Sequence, residues 1–244
     1  VHGDYVRKYS DSIDSTGGYR CIRRFDSDIH VFEAESKDFF VDVELGQYGK
    51  LEKLSNIKKE GKEVVCKING GFFDTKRTRE HLGTFVDEGL YYTPPNDTFI
   101  DFIYYKDGTT EIKKIKGLEE VADLQPKTYW AIGTSWSLVQ KGEINLENTD
   151  KIDHSSWRHP RTLLGQRKDG TFVLVVADGR KNTSKGLTAK QSAELMKELS
   201  CYNAVNLDGG GSSEMIVKDK IVNSPSDKDE RYIGSAILVC KNNK

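Results

Sequence analysis

The chain has 244 residues, with 37 Lys and Arg against 38 Asp and Glu, which gives a formal net charge of −1. This near-neutral balance argues against recognition of a polyanion through bulk charge, so no nucleic-acid partner is expected. Aromatic residues make up 10% of the sequence and the two signs of charge are interspersed, which argues against disorder. No stretch approaches the roughly 18 apolar residues that a membrane-spanning helix needs, so no membrane span is expected.

The amino-terminal region is more polar and richer in turn-forming residues than the rest of the chain. This difference predicts a loosely held arm over residues 1–28 and one domain over residues 29–244. The chain starts without Met and without the charged-then-apolar run of a signal peptide, which leaves a cytoplasmic location open. The four cysteines are scattered and are expected to be buried free thiols: Cys21, Cys66, Cys201 and Cys240.

Residue patterns in the first part of the chain favour short strands. They predict, in order, a strand at 40–45, a short helix at 51–59, a buried strand at 64–68, a hairpin at 98–115, a helix of one or two turns at 117–124 and a strand at 130–139. The hairpin is predicted because two alternating runs flank Lys106-Asp-Gly108.

The second part of the chain contains the clearest helix. Its predicted elements are a hairpin at 161–177, a helix that follows Thr188, a strand at 204–207, a hairpin at 215–222 and a strand at 233–239. Thr188 and Gln191 have the spacing of a capping box, which marks where that helix begins. Many short strands, a few helices and no regular βαβ alternation predict a single α+β domain of mixed β-sheets with a few packed helices.

Three predicted strands end in glycines and polar side chains, at residues 68–74, 176–180 and 207–213. Glycine lets a ligand approach the backbone closely, and consecutive amides in such turns can bind an anion. The simpler interpretation of one such turn is only a tight turn, and it is weakest for the triple glycine 209–211. We therefore expect the three strand ends to meet in one cleft for an anionic ligand.

Arginines and carboxylates lie beside these turns. Arg161, Arg180 and Arg231 could clamp phosphate oxygens, although each taken alone could be an ordinary surface arginine. Glycoside cleavage commonly uses two carboxyl groups, but a phosphate leaving group makes protonation less important than stabilising the sugar cation. The carboxylates in position to act are Asp74, Asp178, Asp208 and Glu214, with turn capping as the alternative role for an Asp that follows a strand.

Several other kinds of site are disfavoured. His154 and His159 are five residues apart with no cysteine pair nearby, which does not fit a transition-metal site. Asp and Asn side chains could supply oxygen ligands to a divalent cation such as Ca²⁺ or Mg²⁺ as a cofactor. The nucleophile elbow, the P-loop and the dinucleotide-binding glycine motif do not occur in the sequence.

Six motifs in a fixed order make the chain similar to the phosphodiester glycosidase family over about residues 30 to 240. They are Ile68-Asn-Gly-Gly-Phe-Phe73, His159-Pro-Arg-Thr-Leu-Leu-Gly165, Val176-Ala-Asp-Gly-Arg180, Ser184-Lys-Gly-Leu-Thr188, Ala204-Val-Asn-Leu-Asp-Gly-Gly-Gly-Ser-Ser213 and Val222-Asn-Ser-Pro225 with Glu230-Arg231. The resemblance departs from the family pattern at Cys66-Lys67 and is loose over residues 130–139. The composition is typical of a bacterial or phage member.

The resemblance implies a hydrolase that cleaves the glycosidic C1–O bond of a sugar-1-phosphodiester and leaves a phosphate monoester. Its substrate would be a small molecule or a glycan, and the resemblance favours an extracellular or cell-envelope location. The catalytic candidates are Asp208 first, then Asp178 and Glu214. The phosphate-binding candidates are Arg161, Arg180, Gly209, Gly210, Gly211, Ser212 and Ser213. The sugar-binding candidates are Asn69, Gly70, Gly71, Asp74, Asn206, Asn223 and Arg231.

Two other functions fit the same residues. The pocket could bind a phosphorylated glycan or a nucleotide-like ligand without cleaving it, as a sequestering module or a phage protein would. A different phosphodiesterase could instead cut the P–O bond. Analysis of the products distinguishes these functions, because a sequestering protein returns intact ligand and the two hydrolases place solvent oxygen on different products.

Overall fold

The computed structural model describes residues 18–152, 154–227 and 229–242, and its strands form three main sheets. The seven-stranded sheet contains, in order, β1 (Tyr19–Arg24), β2 (Ser27–Ala34), β14 (Phe172–Ala177), β13 (Arg161–Gln166), β15 (Asn203–Asn206), β11 (Trp136–Gln140) and β12 (Glu143–Ile144). The β10 sheet contains β7 (Leu90–Thr93), β6 (Phe85–Asp87), β10 (Thr128–Thr134), β8 (Ile100–Tyr105) and β9 (Thr110–Lys113). The β5 sheet contains β17 (Lys220–Ile221), β16 (Met215–Val217), β5 (Val64–Asn69), β19 (Ser235–Lys241) and β3 (Phe39–Leu45). A small fourth sheet pairs β18 (Tyr232–Ile233) with β4 (Glu52–Lys53).

One hydrophobic core joins the three main sheets. The seven-stranded sheet contributes Phe32 and Val176, the β5 sheet contributes Ile68, and the β10 sheet contributes Phe102 and Trp130. Side chains alternate between the two faces of a strand, so each sheet also has an outer face with apolar residues of its own. The arrangement resembles a sandwich in which the inner faces of all three sheets are buried together.

Two α-helices cover outer faces of the sheets in the described part of the chain: α1 (Gly117–Leu124) and α2 (Ala189–Glu198). The capping box predicted for α2 is confirmed, since Gln191 N donates to Thr188 Oγ1 at 3.1 Å and Thr188 N donates to Gln191 Oε1 at 3.0 Å. Ala193 and Met196 of α2 pack in a cluster with Val173 and Val175 of β14. The described helices include none that is long and apolar enough to cross a membrane.

The predicted fold class needs correction. The described strands pair antiparallel throughout, so the sheets are not mixed, and two short helices beside nineteen described strands make the protein mainly β rather than α+β. The hairpins predicted at 98–115, 161–177 and 215–222 are confirmed. Within these three hairpins antiparallel pairing follows from the short connection, because a parallel pair needs a long crossover.

Several predicted elements are placed differently by long-range pairing. Residues 51–59 form no helix, since β4 pairs with β18 near the other end of the chain. The single strand predicted at 130–139 is divided between β10 and β11, which belong to different sheets. Residues 18–28 of the predicted arm belong to the seven-stranded sheet, where β1 pairs with β2, and residues 1–17 lie outside the described residues. The four cysteines are free and buried, as predicted.

Candidate active site

The strand ends predicted to meet are brought together in the structure. Arg161 at the start of β13 lies opposite Ala177 at the end of β14, and Leu163 lies opposite Asn206 at the end of β15. The end of β5 joins them through Asn69, whose Nδ2 donates to the main-chain oxygen of Asp208 at 2.8 Å. The expectation that these segments build one region is therefore confirmed.

A cavity of about 240 Å³ opens beside these strand ends, and we call it the candidate cleft. It is lined by Phe72, Trp136, Ile152, His154, His159, Arg161, Arg180, Asn206, Asp208, Gly209, Gly210, Gly211 and Arg231. This lining combines three guanidinium groups with one carboxylate. Such a donor set fits an anionic ligand better than it fits Ca²⁺ or Mg²⁺, which require several oxygen ligands.

Asp208 supplies the carboxylate of the candidate cleft. Its Oδ1 accepts a hydrogen bond from Gly209 N at 2.8 Å. Burial raises the pKa of Asp208 to about 6, against the opposing effects of the Ser212 hydroxyl, the Gly209 N–H and the charge of Arg231. At neutral pH most of this carboxyl is ionised although it is poorly solvated, and a group in that state can act as a base or a nucleophile.

Arg161 is anchored in the wall of the candidate cleft and is only 4% exposed. Its Nε donates to Leu187 O at 2.9 Å, and its Nη2 donates to His154 O at 2.7 Å and Trp157 O at 2.9 Å. The guanidinium lies 5.1 Å from the Trp136 ring centre. Burial, followed by repulsion from Arg180, lowers the pKa of Arg161 to about 10. Among the described residues nothing accepts from Nη1, so this nitrogen is free to donate to a ligand.

Arg231 has a carboxylate partner, whereas Arg180 has none among the described residues. Arg231 Nη2 lies 2.6 Å from Asp227 Oδ2 and therefore already has a carboxylate partner. Arg180 Nε donates to His159 Nδ1 at 3.4 Å, and no described carboxylate lies within ion-pair distance of its guanidinium. Its backbone adopts a left-handed conformation with φ of 59°. An uncompensated guanidinium held on such a turn favours binding of an anion.

Three buried polar atoms of the cleft lining have no hydrogen-bond partner among the described residues: Trp136 Nε1, His159 Nε2 and Asn206 Oδ1. His159 Nδ1 accepts from Arg180, which places the ring proton on Nε2 in the neutral form. Burial and the nearby charges of Arg161 and Arg180 lower the pKa of His159 and so favour that form. Buried polar groups are normally paired. The cleft therefore presents two donors and one acceptor suited to a polar ligand.

The triple-glycine turn serves close packing rather than an amide nest. Gly210 N donates to Pro160 O at 3.0 Å, Ser212 N to Gly209 O at 3.2 Å and Ser213 N to Gly210 O at 3.2 Å. A Cβ at Gly211 would lie 2.4 Å from Arg231 Nη2. The turn lines the cleft, but these amides are used internally, and Ser212 and Ser213 are buried behind the turn. Gly209, Gly210 and Gly211 line the cleft whereas Ser212 and Ser213 do not, and the phosphate-binding role expected of these five residues stays a prediction.

Asn69, Gly70 and Gly71 hold the strands together and do not line the candidate cleft. Asn69 Oδ1 accepts from Thr162 Oγ1 at 2.7 Å, so both ends of its amide are occupied by the protein. A Cβ at Gly70 would lie 2.4 Å from Ser235 Oγ, and one at Gly71 would lie 2.5 Å from Gly133 O. The structure thus gives these three residues a structural role, and the sugar contacts expected of them stay predictions.

Asp74 caps a turn on the surface. Its Oδ1 accepts from Lys76 N at 2.8 Å and Arg77 N at 3.0 Å, and its Oδ2 accepts from Thr78 N at 3.0 Å. Hydrogen bonds from these backbone N–H groups, with that of Thr78 first, lower the pKa of Asp74 to about 2. This is the turn-capping alternative, and Asp74 is not a wall residue of the cleft.

Asp178 and Asn223 form a buried junction beside the cleft instead of lining it. Asp178 Oδ1 accepts from Asn223 Nδ2 at 3.1 Å and from Ser224 N at 2.9 Å. Asp178 Oδ2 lies 3.3 Å from His30 Nε2. Asn223 Oδ1 also accepts from Met215 N at 2.8 Å. These contacts make the pair an anchor of the 223–224 loop. The catalytic role expected of Asp178 and the sugar contact expected of Asn223 stay predictions, since neither residue lines the cleft.

Glu214 is buried away from the candidate cleft. Its neighbour Met215 is in the shared core, and Ile216 packs on the outer face of the β5 sheet with Leu54 and Ile57. Burial, then the neighbouring Glu230, raises the pKa of Glu214 to about 8. The side chain does not line the cleft, so the geometry gives no support to the catalytic role expected of Glu214, which stays a prediction.

The sequence reasoning missed part of the lining. Phe72, Trp136, Ile152, His154 and His159 were not predicted as site residues, although Phe72 and His159 lie within motifs of the family resemblance. The two histidines had been considered only as metal ligands, and the described residues contain no cluster of three or more His, Cys, Asp or Glu that could hold a metal ion. Their position beside two arginines instead indicates hydrogen bonding to an anion.

Comparison with known proteins gives one matching family model, described as phosphodiester glycosidase, over residues 62–240. An uncharacterized SPbeta prophage-derived protein, YomE of Bacillus subtilis, is 43% identical over 142 residues, which cover 56% of this chain and 21% of that protein. Mouse N-acetylglucosamine-1-phosphodiester alpha-N-acetylglucosaminidase is 28% identical over 177 residues, which cover 66% of this chain and 34% of that protein.

Among solved structures, the catalytic domain of the zebrafish N-acetylglucosamine-1-phosphodiester alpha-N-acetylglucosaminidase, auto-inhibited by its pro-peptide, matches with a TM-score of 0.72. The identity is 23%, and the match covers 93% of this chain and 82% of that chain, which shows that the fold is shared. The chain spans only 21% to 36% of the length of the curated relatives it matches.

Proposed function

Because the chain belongs to the phosphodiester glycosidase family, we propose that its candidate cleft hydrolyses the glycosidic C1–O bond of a sugar-1-phosphodiester. The observation that carries the proposal is the pairing, in one cleft, of a half-buried ionisable carboxylate, Asp208, with a guanidinium that has no carboxylate partner among the described residues, Arg180. In this proposal Arg180 binds the phosphate and Asp208 faces the sugar. The two residues come from neighbouring turns.

Arg180 and the Nη1 group of Arg161 would hold the phosphodiester. Both would donate charge-assisted hydrogen bonds, which are stronger than those between neutral groups. Trp136 Nε1 and His159 Nε2 are further donors without a described partner, and in this proposal they donate to phosphate oxygens or to a sugar hydroxyl. The unpartnered Asn206 Oδ1 can accept from a hydroxyl of the sugar. Each of these roles uses a hydrogen-bonding group that the described residues leave without a partner.

One carboxylate is sufficient for this reaction because of the leaving group. Glycosidases generally use two carboxyl groups, one of which protonates the departing oxygen. A phosphate monoester departs without such protonation, so the C1–O bond can break with its electron pair passing to the phosphate oxygen. Asp208 would stabilise or attack the positive anomeric carbon, water would add to C1, and one proton would be released. The lining of the cleft, with Asp208 as its carboxylate, supports this assignment.

Hydrolysis in ¹⁸O-labelled water tests the proposal. UDP-sugars, sugar-1-phosphodiesters and teichoic-acid fragments would be incubated with the protein, and the products would be analysed by mass spectrometry. We expect the label in the released sugar and none in the phosphate monoester. Label in the phosphate would instead show P–O cleavage, and intact ligand recovered after denaturation would show a binding module. An Asp208→Asn sample identifies any hydrolysis by a contaminating enzyme.

A further inference from the structure

A second cleft lies at the other end of the strands that lead to the candidate cleft. Tyr129 lies near the start of β10, whereas Trp136, seven residues later, lines the candidate cleft. An extended chain advances about 3.3 Å per residue, so the two residues are at most about 23 Å apart. Lys62 likewise precedes β5, whose far end carries Asn69. The two clefts share no lining residue.

The second cleft, which we call the tyrosine cleft, is a cavity of about 370 Å³. Its principal lining residues are Phe40, Lys62, Tyr104, Tyr105, Lys106 and Tyr129. This volume is at the lower end of the range for small-molecule sites, which combine an aromatic lining with a few polar groups. The residue types and the size therefore agree with a ligand site.

The aromatic rings of the tyrosine cleft are held in place by the core beneath them. Tyr104 packs edge-on against Tyr129, with ring centres 6.1 Å apart and an interplanar angle of 83°. On its other side Tyr104 packs edge-on against Phe172, with ring centres 5.1 Å apart. Both tyrosines are only partly buried. Rings fixed in this way offer a rigid apolar surface and lose little conformational freedom when a ligand binds.

The tyrosine cleft carries two lysines, Lys62 and Lys106, and one carboxylate at its edge, Glu111, whose Oε2 accepts from the Tyr105 hydroxyl. Lys62 Nζ lies 5.1 Å from the centre of the Phe40 ring, and Lys106 Nζ donates to Pro126 O at 2.9 Å. Neither lysine has a carboxylate within ion-pair distance in the described part of the chain.

We infer that the tyrosine cleft is a second, non-catalytic binding site for an anionic glycan. The C–H faces of sugar rings are apolar and stack on aromatic rings, while lysines bind phosphate or carboxylate groups on the same chain. A lipid surface fits less well, because the tyrosines line a concavity and are half-buried. The choice of a glycan over a nucleic acid rests on the proposed function and on the net charge of −1, which provides no general attraction for nucleic acid.

Binding of a phosphorylated dextrin tests this inference on the full chain. Phosphodextrin carries phosphate monoesters and no sugar-1-phosphodiester, so it is not a substrate of the proposed reaction. Titration calorimetry would compare it with the same dextrin after phosphatase treatment, with single-stranded oligothymidylate and with vesicles of phosphatidylglycerol. The variants are a K62A/K106A double substitution, Tyr129→Ala, and a matched K185A/K190A control whose exposed lysines lie just before α2 and in its first turn.

We expect phosphodextrin to bind the wild type more tightly than the dephosphorylated dextrin does, and K62A/K106A to weaken that binding by about tenfold or more. The K185A/K190A control and Arg180→Ala should bind as the wild type does. Equal binding by K62A/K106A, equal loss in K185A/K190A, or tighter binding of oligothymidylate or vesicles would overturn the inference. If Tyr129→Ala does not fold, the lysine variant still decides the outcome. Unchanged hydrolysis of a small sugar-1-phosphodiester by K62A/K106A separates this result from the proposed function.

Discussion

Asn69 Nδ2 donates to the main-chain oxygen of Asp208 at 2.8 Å, and this bond joins residues that are 139 positions apart in the chain. The oxygen of the same amide accepts from Thr162 Oγ1 at 2.7 Å, next to Arg161. One buried side chain therefore fixes the carboxylate turn relative to the strand that carries the anchored arginine. Asn69 thus positions residues of the cleft and is not itself part of its lining.

Replacing the cleft carboxylate should abolish turnover. Asp208→Asn keeps the size of the side chain and its hydrogen bond from Gly209 N but removes the negative charge that would stabilise or attack the anomeric carbon. We expect kcat on a sugar-1-phosphodiester to fall roughly 100- to 10,000-fold, which is the usual cost of a lost catalytic acid or base. Glu214→Gln is the matched control, because Glu214 lies outside the cleft. A variant at Asp208 that retains near-full turnover would remove this residue from the mechanism.

The same substitution should stabilise the protein at neutral pH. Burial raises the pKa of Asp208 from 3.8 to about 6, so folding disfavours the ionised form. The stability linked to this group is present below pH 3.8 and is lost as the pH rises through 6. We expect Asp208→Asn to increase the free energy of unfolding at pH 7.5 by on the order of 2 kcal/mol, with no difference near pH 3.5. Urea unfolding at the two pH values measures both quantities.

Removal of the Arg180 guanidinium should weaken substrate binding. Arg180 has no described carboxylate partner, so its charge is available to the phosphodiester and the fold gains no ion pair from it. Loss of a charge-assisted hydrogen bond costs about 1.5–3 kcal/mol, which corresponds to roughly a 10- to 100-fold lower kcat/KM for Arg180→Ala. Initial rates over a range of substrate concentrations provide the measurement.

Two comparisons sharpen the interpretation of Arg180→Ala. Arg231→Ala removes a guanidinium that is already paired with Asp227 and should have the smaller effect on KM. The unfolding temperature of Arg180→Ala should stay close to that of the wild type, because surface substitutions without buried partners change stability little. An equal loss in both variants would show that the pairing with Asp227 does not decide which arginine binds the phosphate.

The sequence analysis predicted correctly those elements whose signals lie within a few neighbouring residues. The capping box before α2 and the hairpin turn at Lys168-Asp-Gly170 involve residues within four positions of each other, and both are present in the structure. The predicted helix at 51–59 failed because its competitor is distant in sequence. Tyr232 pairs with Lys53, and Ser55 N donates to Glu230 Oε1 at 2.6 Å. No pattern within residues 51–59 contains that information.

The candidate site was predictable in its location and less so in its individual residues. Asp178 and Asp208 both follow a buried strand and precede glycine, so the sequence presents them alike. Only the tertiary structure directs Asp178 to His30 and the 223–224 loop and Asp208 to the cleft. Likewise, the reason for Gly70 and Gly71 is the approach of Ser235 and Gly133, which are remote in the chain. Residue type indicates chemistry, but orientation decides whether a ligand or the protein uses it.

Glu214 should affect stability above neutral pH rather than catalysis. Burial, followed by Glu230, raises the pKa of Glu214 from 4.5 to about 8, so the stability linked to this group is present below pH 4.5 and is lost as the pH rises through 8. Glu214→Gln resembles the protonated side chain. We expect little difference in unfolding temperature at pH 4, a variant more stable than the wild type at pH 6 and by a larger margin at pH 9, and near-wild-type turnover. A hundredfold loss of turnover would return Glu214 to the catalytic candidates.

Breaking the buried pair of Asp178 and His30 should destabilise the fold. Burial alone would lower the pKa of His30, but the hydrogen bond to Asp178 and further contacts with Cys21 raise it to about 9. The stability linked to His30 is therefore fully present below pH 6.5 and is lost as the pH rises through 9. We expect Asp178→Asn to cost about 3–5 kcal/mol at pH 7, since it leaves a buried charge unpaired, and clearly less at pH 10.

Urea unfolding of Asp178→Asn, His30→Gln and the double variant at pH 7 and pH 10 forms a double-mutant cycle for this pair. The coupling energy should be large at pH 7 and shrink at pH 10, because deprotonation of His30 removes the charge that Asp178 compensates. Turnover per folded molecule should fall far less in Asp178→Asn than in Asp208→Asn, since Asp178 acts through the 223–224 loop rather than on the sugar. An Asp178→Asn protein that is as stable as the wild type yet inactive would instead place this carboxylate in direct contact with the substrate.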